Sequence, residues 1–351
     1  MNTVTSSIIQ FELPATLSCP LPSEERNISR DAVRLLVSHE DGKMEHSTFD
    51  QLPFFLKKED VLVVNTSATV PSAFPIQLPD GNTGRLHVST KLQTGEWLIE
   101  IRKIIGNKTK RWYDGKEEML FSLQGGGKVL LKEQFYKDDT PLRLWKAKFV
   151  CQDQTVNYPK NIALPIQYEN LDRHYPLSYY QTYFSFQPGS AEMPSAGRGF
   201  TKSLVKRLLR KGITIVPLLL HTGISSLEEN ELPYPEYLEI DPLSASILNH
   251  AKANGQRIIA AGTTVIRALE TTAGENNVIK PYRGYTDLFI HPGYEMKIAN
   301  GLLTGFHEPN ASHLSMLHAI AGYDHIHRAY MTAIKAKYFW HQFGDLHLIL
   351  P

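Results

Sequence analysis

Polar residues stand directly after three apolar runs that read as buried strands. Residues 60–64 lead into Asn65-Thr66, residues 213–220 into His221-Thr222-Gly223, and residues 257–261 into Gly262-Thr263-Thr264. In open α/β sheets, ligands bind beyond the carboxyl ends of the strands, so these three ends are candidate binding positions. The third is the most informative because a helix begins there. Unpaired amides at a helix start favour an anion such as a carboxylate, and Gly262 lets a ligand approach the backbone closely. Thr263, Arg267 and Glu270 follow at spacings of four and three and share one helical stripe, while Val265, Ile266 and Leu269 face the core. The same spacing also fits a simple helix cap with a solvated Arg267–Glu270 ion pair.

Two histidines stand where proton transfer near neutral pH would be useful: His307 after the run 302–306, and His221 after 213–220. Each also fits a structural role with its ring bonded to backbone. Asp287 suits a general base, a partner for Arg267 or a turn cap, and Asp345 after Gly344 is similar. No His-Glu-x-x-His helix accompanies the 14 histidines, so no metal is expected. No Gly-x-Ser-x-Gly elbow and no Gly-x-Gly-x-x-Gly turn occur, which argues against a serine hydrolase and a standard dinucleotide fold. Gly125-Gly126-Gly127 reads as a turn, because no Lys-Ser or Lys-Thr pair follows it.

Basic residues cluster in two places. One is a helix carrying Lys202, Lys206, Arg207, Arg210 and Lys211; the other is the stretch with Lys103, Lys108, Lys110, Arg111 and Lys116, interleaved with Trp112 and Tyr113. Such patches can hold phosphate and stack bases, or serve as solvated surface. With a net charge of +1, any nucleic-acid contact has to come from a local patch of this kind.

The elements that position these residues follow from periodicity. From about residue 179 onward, strands and helices alternate. Thr201 caps a helix with Leu204, Val205, Leu208 and Leu209 on one face, and Gly212 fits its left-handed end. Helices are expected near 244–254, 264–273, 312–321 and 330–339, and strands at 287–290, 294–299 and 302–306, with Asn300-Gly301 as a hairpin turn. Residues 74–150 instead show short alternating segments at 85–90, 96–102, 128–133 and 143–149, the pattern of a small β-barrel or sandwich. The fold class expected is therefore α/β with a mixed sheet plus an inserted β-barrel: residues 1–73 and 151–351 form the larger domain and 74–150 the insert. A length of 351 residues and 42% hydrophobic content fit two globular cores. Two cysteines, Cys19 and Cys151, suit a reducing cytoplasm, and neither a signal peptide nor a membrane span is expected.

Taken together, the motifs resemble one family. Phe11-Glu12-Leu13-Pro14, Arg30-Asp31, Leu52-Pro53 and Asn65-Thr66 come first, then Tyr180-Gln181-Thr182-Tyr183, Gly189-Ser190 and Ala196-Gly197. Gly262-Thr263-Thr264 with Arg267 to Glu270, Thr286-Asp287-Leu288-Phe289-Ile290, Pro292-Gly293-Tyr294, Phe306-His307 and Gly344-Asp345 follow. In this order they are similar to the S-adenosylmethionine:tRNA ribosyltransferase-isomerases of the queuosine pathway, over nearly the whole chain. The resemblance implies an α/β domain with an inserted β-barrel. It implies transfer and isomerisation of the ribosyl part of S-adenosylmethionine, as co-substrate, onto a 7-aminomethyl-7-deazaguanine wobble base of tRNA. Epoxyqueuosine-tRNA, adenine and methionine are the implied products. On this reading Gly262, Thr263, Thr264, Arg267, Glu270 and Asn65 bind substrate, and His307, His221 and Asp287 move protons. Lys202, Lys206 and Arg210 meet tRNA, and the protein is a cytoplasmic monomer without a metal.

Several positions depart from the family pattern. Ser67 and Phe74 stand where it has arginines, Gly199 where it has a histidine, and Leu232 and Tyr234 in its paired-histidine stretch. Glu308 and Asn310 also differ. Weaker S-adenosylmethionine binding or transfer than in a motif-complete relative is expected. The alternative is a divergent relative with another substrate, or an RNA-binding protein without catalysis.

Overall fold

The computed structural model of the chain describes residues 9–106, 108–123, 127–136, 143–150, 163–167, 171, 173–225, 232–309 and 311–351. Cys151, Asn310 and the Gly125-Gly126 part of the glycine turn lie outside the described residues.

Alternation within one short strand explains the two-sided core of the larger domain. Every residue of Val61–Asn65 is buried. Val61 and Val63 face helices Pro242–Ala253, Thr263–Thr272, His313–Ala321 and Tyr323–Lys335, whereas Leu62 and Val64 face helix Lys202–Arg210 and the short helix Leu52–Phe55. This strand sits inside a nine-stranded sheet. The order runs Tyr282–Thr286, Glu236–Ile240, Thr214–Leu220, Val61–Asn65, Ile258–Ala261, Gly301–Gly305, Leu346–Leu350, Arg34–His39, Met44–Thr48. Thr214–Leu220, Val61–Asn65, Ile258–Ala261 and Gly301–Gly305 are parallel, so their carboxyl ends share one edge.

The second sheet runs from Ala73–Gln77 to Leu144–Val150 and has seven antiparallel strands. Phe74, Leu86, Val88, Ile99, Ile101, Val129 and Trp145 fill its interior. The alternate residues His87, Ser89, Glu100 and Arg102 are polar, yet they are buried as well. They lie on the side turned to the larger domain, where His87, Glu100 and Arg102 line a cavity. Ser89 Oγ donates to Tyr234 Oη at 2.9 Å and accepts from the Ile224 amide at 2.9 Å, and Arg143 Nη2 donates to Ser225 O at 2.8 Å. The mixed α/β sheet with a barrel-like antiparallel insert is thus the fold expected.

Several local expectations need correction. The strand expected at 287–290 is instead Tyr282–Thr286, because Arg267 captures the Thr286 and Leu288 carbonyls, each at 3.2 Å. Residues 294–299 form no strand: the amides of Lys297 and Ile298 donate to the Glu270 carboxylate at 2.9 and 3.0 Å. Asn300-Gly301 is no hairpin, since Asn300 Oδ1 accepts from the Ile258 amide at 2.9 Å and Gly301 opens a strand parallel to Ile258–Ala261. The last helix spans Tyr323–Lys335, entered through Gly322 at φ +80°, earlier than the apolar spacing suggested.

Candidate active site

The parallel edge builds a cavity wall. Strand Ile258–Ala261 passes through Gly262 into helix Thr263–Thr272. Gly262 has φ +116°, a conformation a side chain would resist, and its amide donates to Leu303 O at 2.8 Å. The turn brings Thr263 and Thr264 to the cavity together with their own amides, which lie ahead of the first intrahelical bonds, those of Val265 and Ile266 to Gly262 O at 3.1 and 3.3 Å. The next strand, Gly301–Gly305, delivers Phe306 and His307 to the same wall.

His307 Nε2 meets Thr304 Oγ1 at 2.9 Å, and its ring stacks on that of His313 with centroids 4.6 Å apart and planes 3° from parallel. Burial of the ring, reinforced by His313 and His347, holds His307 well below the usual histidine range. Burial and the Arg267 charge push His313 down to about 4. Both residues keep some exposed surface, but their rings sit deep in the protein. The pair is neutral at physiological pH and offers ring nitrogens as hydrogen-bond acceptors or bases. His307 therefore does not rest as the proton donor that a departing adenine requires.

Around this point the cavity branches. One branch, past Thr222 and Thr263, reaches Arg267, which pairs with buried Glu236. The other, past Glu192, Glu308 and His341, opens into a space of about 1000 Å³ beneath the inserted barrel. Lys108, Lys110, Arg111 and Tyr113 line its far side. Glu192 is buried at the junction and accepts from Ser225 Oγ at 2.5 Å. Two buried polar atoms of this wall, Thr222 Oγ1 and Gln342 Nε2, have no hydrogen-bond partner among the described residues, as expected of a surface that awaits a polar ligand.

Residues 6–349 match the model of the queuosine biosynthesis protein family. This chain belongs to that family. The S-adenosylmethionine:tRNA ribosyltransferase-isomerase of Desulforamulus reducens is 33% identical, with 98% of this chain and 99% of that protein covered. The one from Desulfitobacterium hafniense is also 33% identical, with 97% and 98% covered. The crystal structure of S-adenosylmethionine tRNA ribosyltransferase from Thermotoga maritima superposes with a TM-score of 0.54 at 26% identity, covering 98% of this chain and 100% of that one.

Within this member of the queuosine biosynthesis family, the expected site residues divide. Gly262, Thr263, Thr264, Arg267 and His307 border the branched cavity. His221 lines a different pocket with Trp97, Tyr237 and Tyr285, and its Nδ1 meets Ser67 Oγ at 2.7 Å. Asp287 is exposed and borders neither branch. Asn65 is spent on the fold: its amide group bridges both backbone atoms of Leu220, at 2.8 and 3.0 Å. Glu270 is likewise structural, buried and held by the 294–299 loop, so no solvated Arg267–Glu270 pair exists. Lys202, Lys206 and Arg210 are exposed on helix Lys202–Arg210 and do not line the cavity, and Trp112 belongs to the barrel core.

Three of the altered family positions, Ser67, Phe74 and Gly199, are absorbed by packing. Ser67 joins Ser190 Oγ at 2.6 Å, and Phe74 is barrel core. A Cβ on Gly199 would meet the Phe49 ring at 2.6 Å, so no histidine fits there without a shift. Arg198 is no replacement cavity charge: it is buried against Ser23 Oγ and Glu24, at 2.9 and 2.5 Å. Glu192, Glu308, His313 and His341 were missed as site residues. His313 could have been found as the first helical residue after the His307 strand end, and Glu308 as the neighbour of His307; Glu192 and His341 carry no local signal.

Proposed function

We propose that this chain transfers and isomerises the ribosyl part of S-adenosylmethionine onto a 7-deazaguanine base of tRNA; its relatives are named as S-adenosylmethionine:tRNA ribosyltransferase-isomerases. Two adjoining cavities that share Glu192, Glu308 and His341, one at a helix start and a neutral histidine pair and the other at a basic barrel strand, are the observation that carries this reading. The methionine carboxylate binds at Gly262-Thr263-Thr264, where amides and Arg267 favour an anion. His307 supplies a neutral imidazole to the reacting groups. The tRNA backbone lies along Lys108, Lys110 and Arg111, whose charge suits phosphate, while Lys202, Lys206 and Arg210 give a weaker outer contact. His221 and Asp287 act outside the chemical step. We further propose that residues 74–150 form a separate unit between 1–73 and 151–351, and that the protein works as a monomer. No described helix is long and apolar enough to cross a membrane.

A single-turnover assay tests the reading. S-adenosylmethionine and tRNA carrying the 7-aminomethyl-7-deazaguanine base should yield adenine in step with base modification. Tight binding of both ligands with no adenine release would sink it.

A further inference from the structure

Three side chains from distant parts of the chain meet in the barrel-facing cavity. His341 Nδ1 lies 3.1 Å from Glu308 Oε1, and its Nε2 lies 3.0 Å from Ser18 Oγ. All three line the same space of about 1000 Å³. The Glu308 carboxyl is held below the usual carboxylate range, first by the His341 ring it accepts from and then by Arg111. An ionised carboxylate can only accept, so the ring proton belongs on Nδ1. Nε2 of the neutral ring must then accept the Ser18 hydroxyl proton, which leaves the Ser18 oxygen lone pairs free for a donor from the cavity.

We propose that Ser18, His341 and Glu308 form a proton relay that deprotonates an amine bound in the cavity. A ligand ammonium gives its proton to Ser18 Oγ while the Ser18 proton passes to His341 Nε2. The ligand ends as a free amine, and the imidazolium faces the Glu308 carboxylate. No bond other than those to hydrogen changes and no electrons are transferred. Ser18 touches the ligand, and Glu308 is a positioning residue that fixes the ring. Arg111, Lys108 and Lys110 on the facing wall favour a ligand that carries phosphate beside its amine. This rests on the ribosyl-transfer reading in one respect: the amine is that of the tRNA's modified base, which must be unprotonated to react.

Two measurements test the relay. Single-turnover adenine release by Ser18→Ala and His341→Asn should fall about a hundredfold, within the usual range for lost general-base catalysis, with S-adenosylmethionine affinity unchanged. In ¹⁵N NMR the wild-type His341 ring should show the Nδ1–H tautomer, and Glu308→Gln should turn it into a mixture. Variant rates within twofold of wild type overturn the proposal, as does an Nε2–H tautomer in the wild-type ring. If the wild-type protein releases no adenine, the ribosyl-transfer reading fails, and the NMR arm still decides the relay.

Discussion

The two polar walls of the central cavity handle charge in opposite ways. On the barrel side, Glu100 is 1% exposed and sits 2.8 Å from Arg102 Nη1 and 3.3 Å from Arg143 Nη1. Burial alone would raise its carboxyl, yet the His87 ring and the two guanidiniums outweigh burial and hold it down at about 2. Around Glu100 that wall is charged and its charges are paired with one another. At the strand ends, His307 and His313 are pushed toward neutrality and have one another as a stacked neighbour. A wall whose charges answer each other is rigid and chemically quiet. A wall of neutral rings keeps its proton capacity for something that arrives.

The sharpest way to break this contrast is at Glu100. Glu100→Gln leaves two buried guanidiniums without their carboxylate, a loss that typically costs about 3–5 kcal/mol. The thermal midpoint should drop by many degrees, and a midpoint within a degree or two of wild type would contradict the account. The pH dependence has a definite sign. Glu100's folded value is depressed, so its contribution is complete above the unfolded value of 4.5 and lost as pH falls toward about 2. Denaturation between these limits should be much shallower in the variant.

At the other wall the effect should appear in rate. His307→Asn keeps size and one hydrogen bond but removes a basic nitrogen, and adenine release should fall about a hundredfold with little change in stability. Protons act in the same direction as at Glu100, but in a higher pH window. His313 is depressed from 6.5 to about 4, so the unfolded chain binds a proton that the fold refuses. Stability is full above pH 6.5 and declines as pH falls toward about 4. His313→Gln should flatten that decline in a urea titration repeated across pH.

A smaller effect separates a binding residue from a structural one on the same helix. Glu270→Gln weakens the charge-assisted bonds to the Lys297 and Ile298 amides, at a cost of about 1–3 kcal/mol. Transfer at saturating substrate should be retained where the variant is folded. A loss of S-adenosylmethionine affinity at unchanged stability would return Glu270 to the ligand site.

These residues also mark how far the sequence could be read. Gly262-Thr263-Thr264 was legible because a strand end, a glycine and a helix start coincide within a few residues, and the chemistry there depends on local backbone. Arg267 and Glu270 share one stripe but bond to Glu236 and to the 294–299 loop, partners fixed only by tertiary packing. Periodicity cannot reveal them. The same limit misplaced the strands at 287–290 and 294–299, whose backbone groups are taken by side chains of helix Thr263–Thr272. The barrel was visible as alternation, but alternation reports that two faces differ and not what covers the second. Ser18 and His341 are 323 residues apart and meet, with Glu308, through the fold alone.

The finest distinction is between two basic surfaces. Lys202, Lys206 and Arg210 recur every four residues on the outer face of helix Lys202–Arg210, over the Leu62 and Val64 side of the sheet. Lys108 and Lys110 alternate on strand Lys108–Arg111, which pairs with Trp97–Ile105 and borders the cavity. A phosphate backbone that delivers a base to the strand ends must pass the second surface, whereas the first is reached only by a more distant part of the RNA. Lys108→Gln with Lys110→Gln should therefore raise KM for tRNA several-fold at unchanged kcat. It should also flatten the dependence of log affinity on log salt by roughly 0.7–0.9 per lysine. Replacing Lys202, Lys206 and Arg210 together should shift KM less than twofold, with a correspondingly small change in salt slope. If the helix triple has the larger slope change, the RNA crosses the Leu62 and Val64 face, and the barrel strand's charge serves the small-molecule ligand alone.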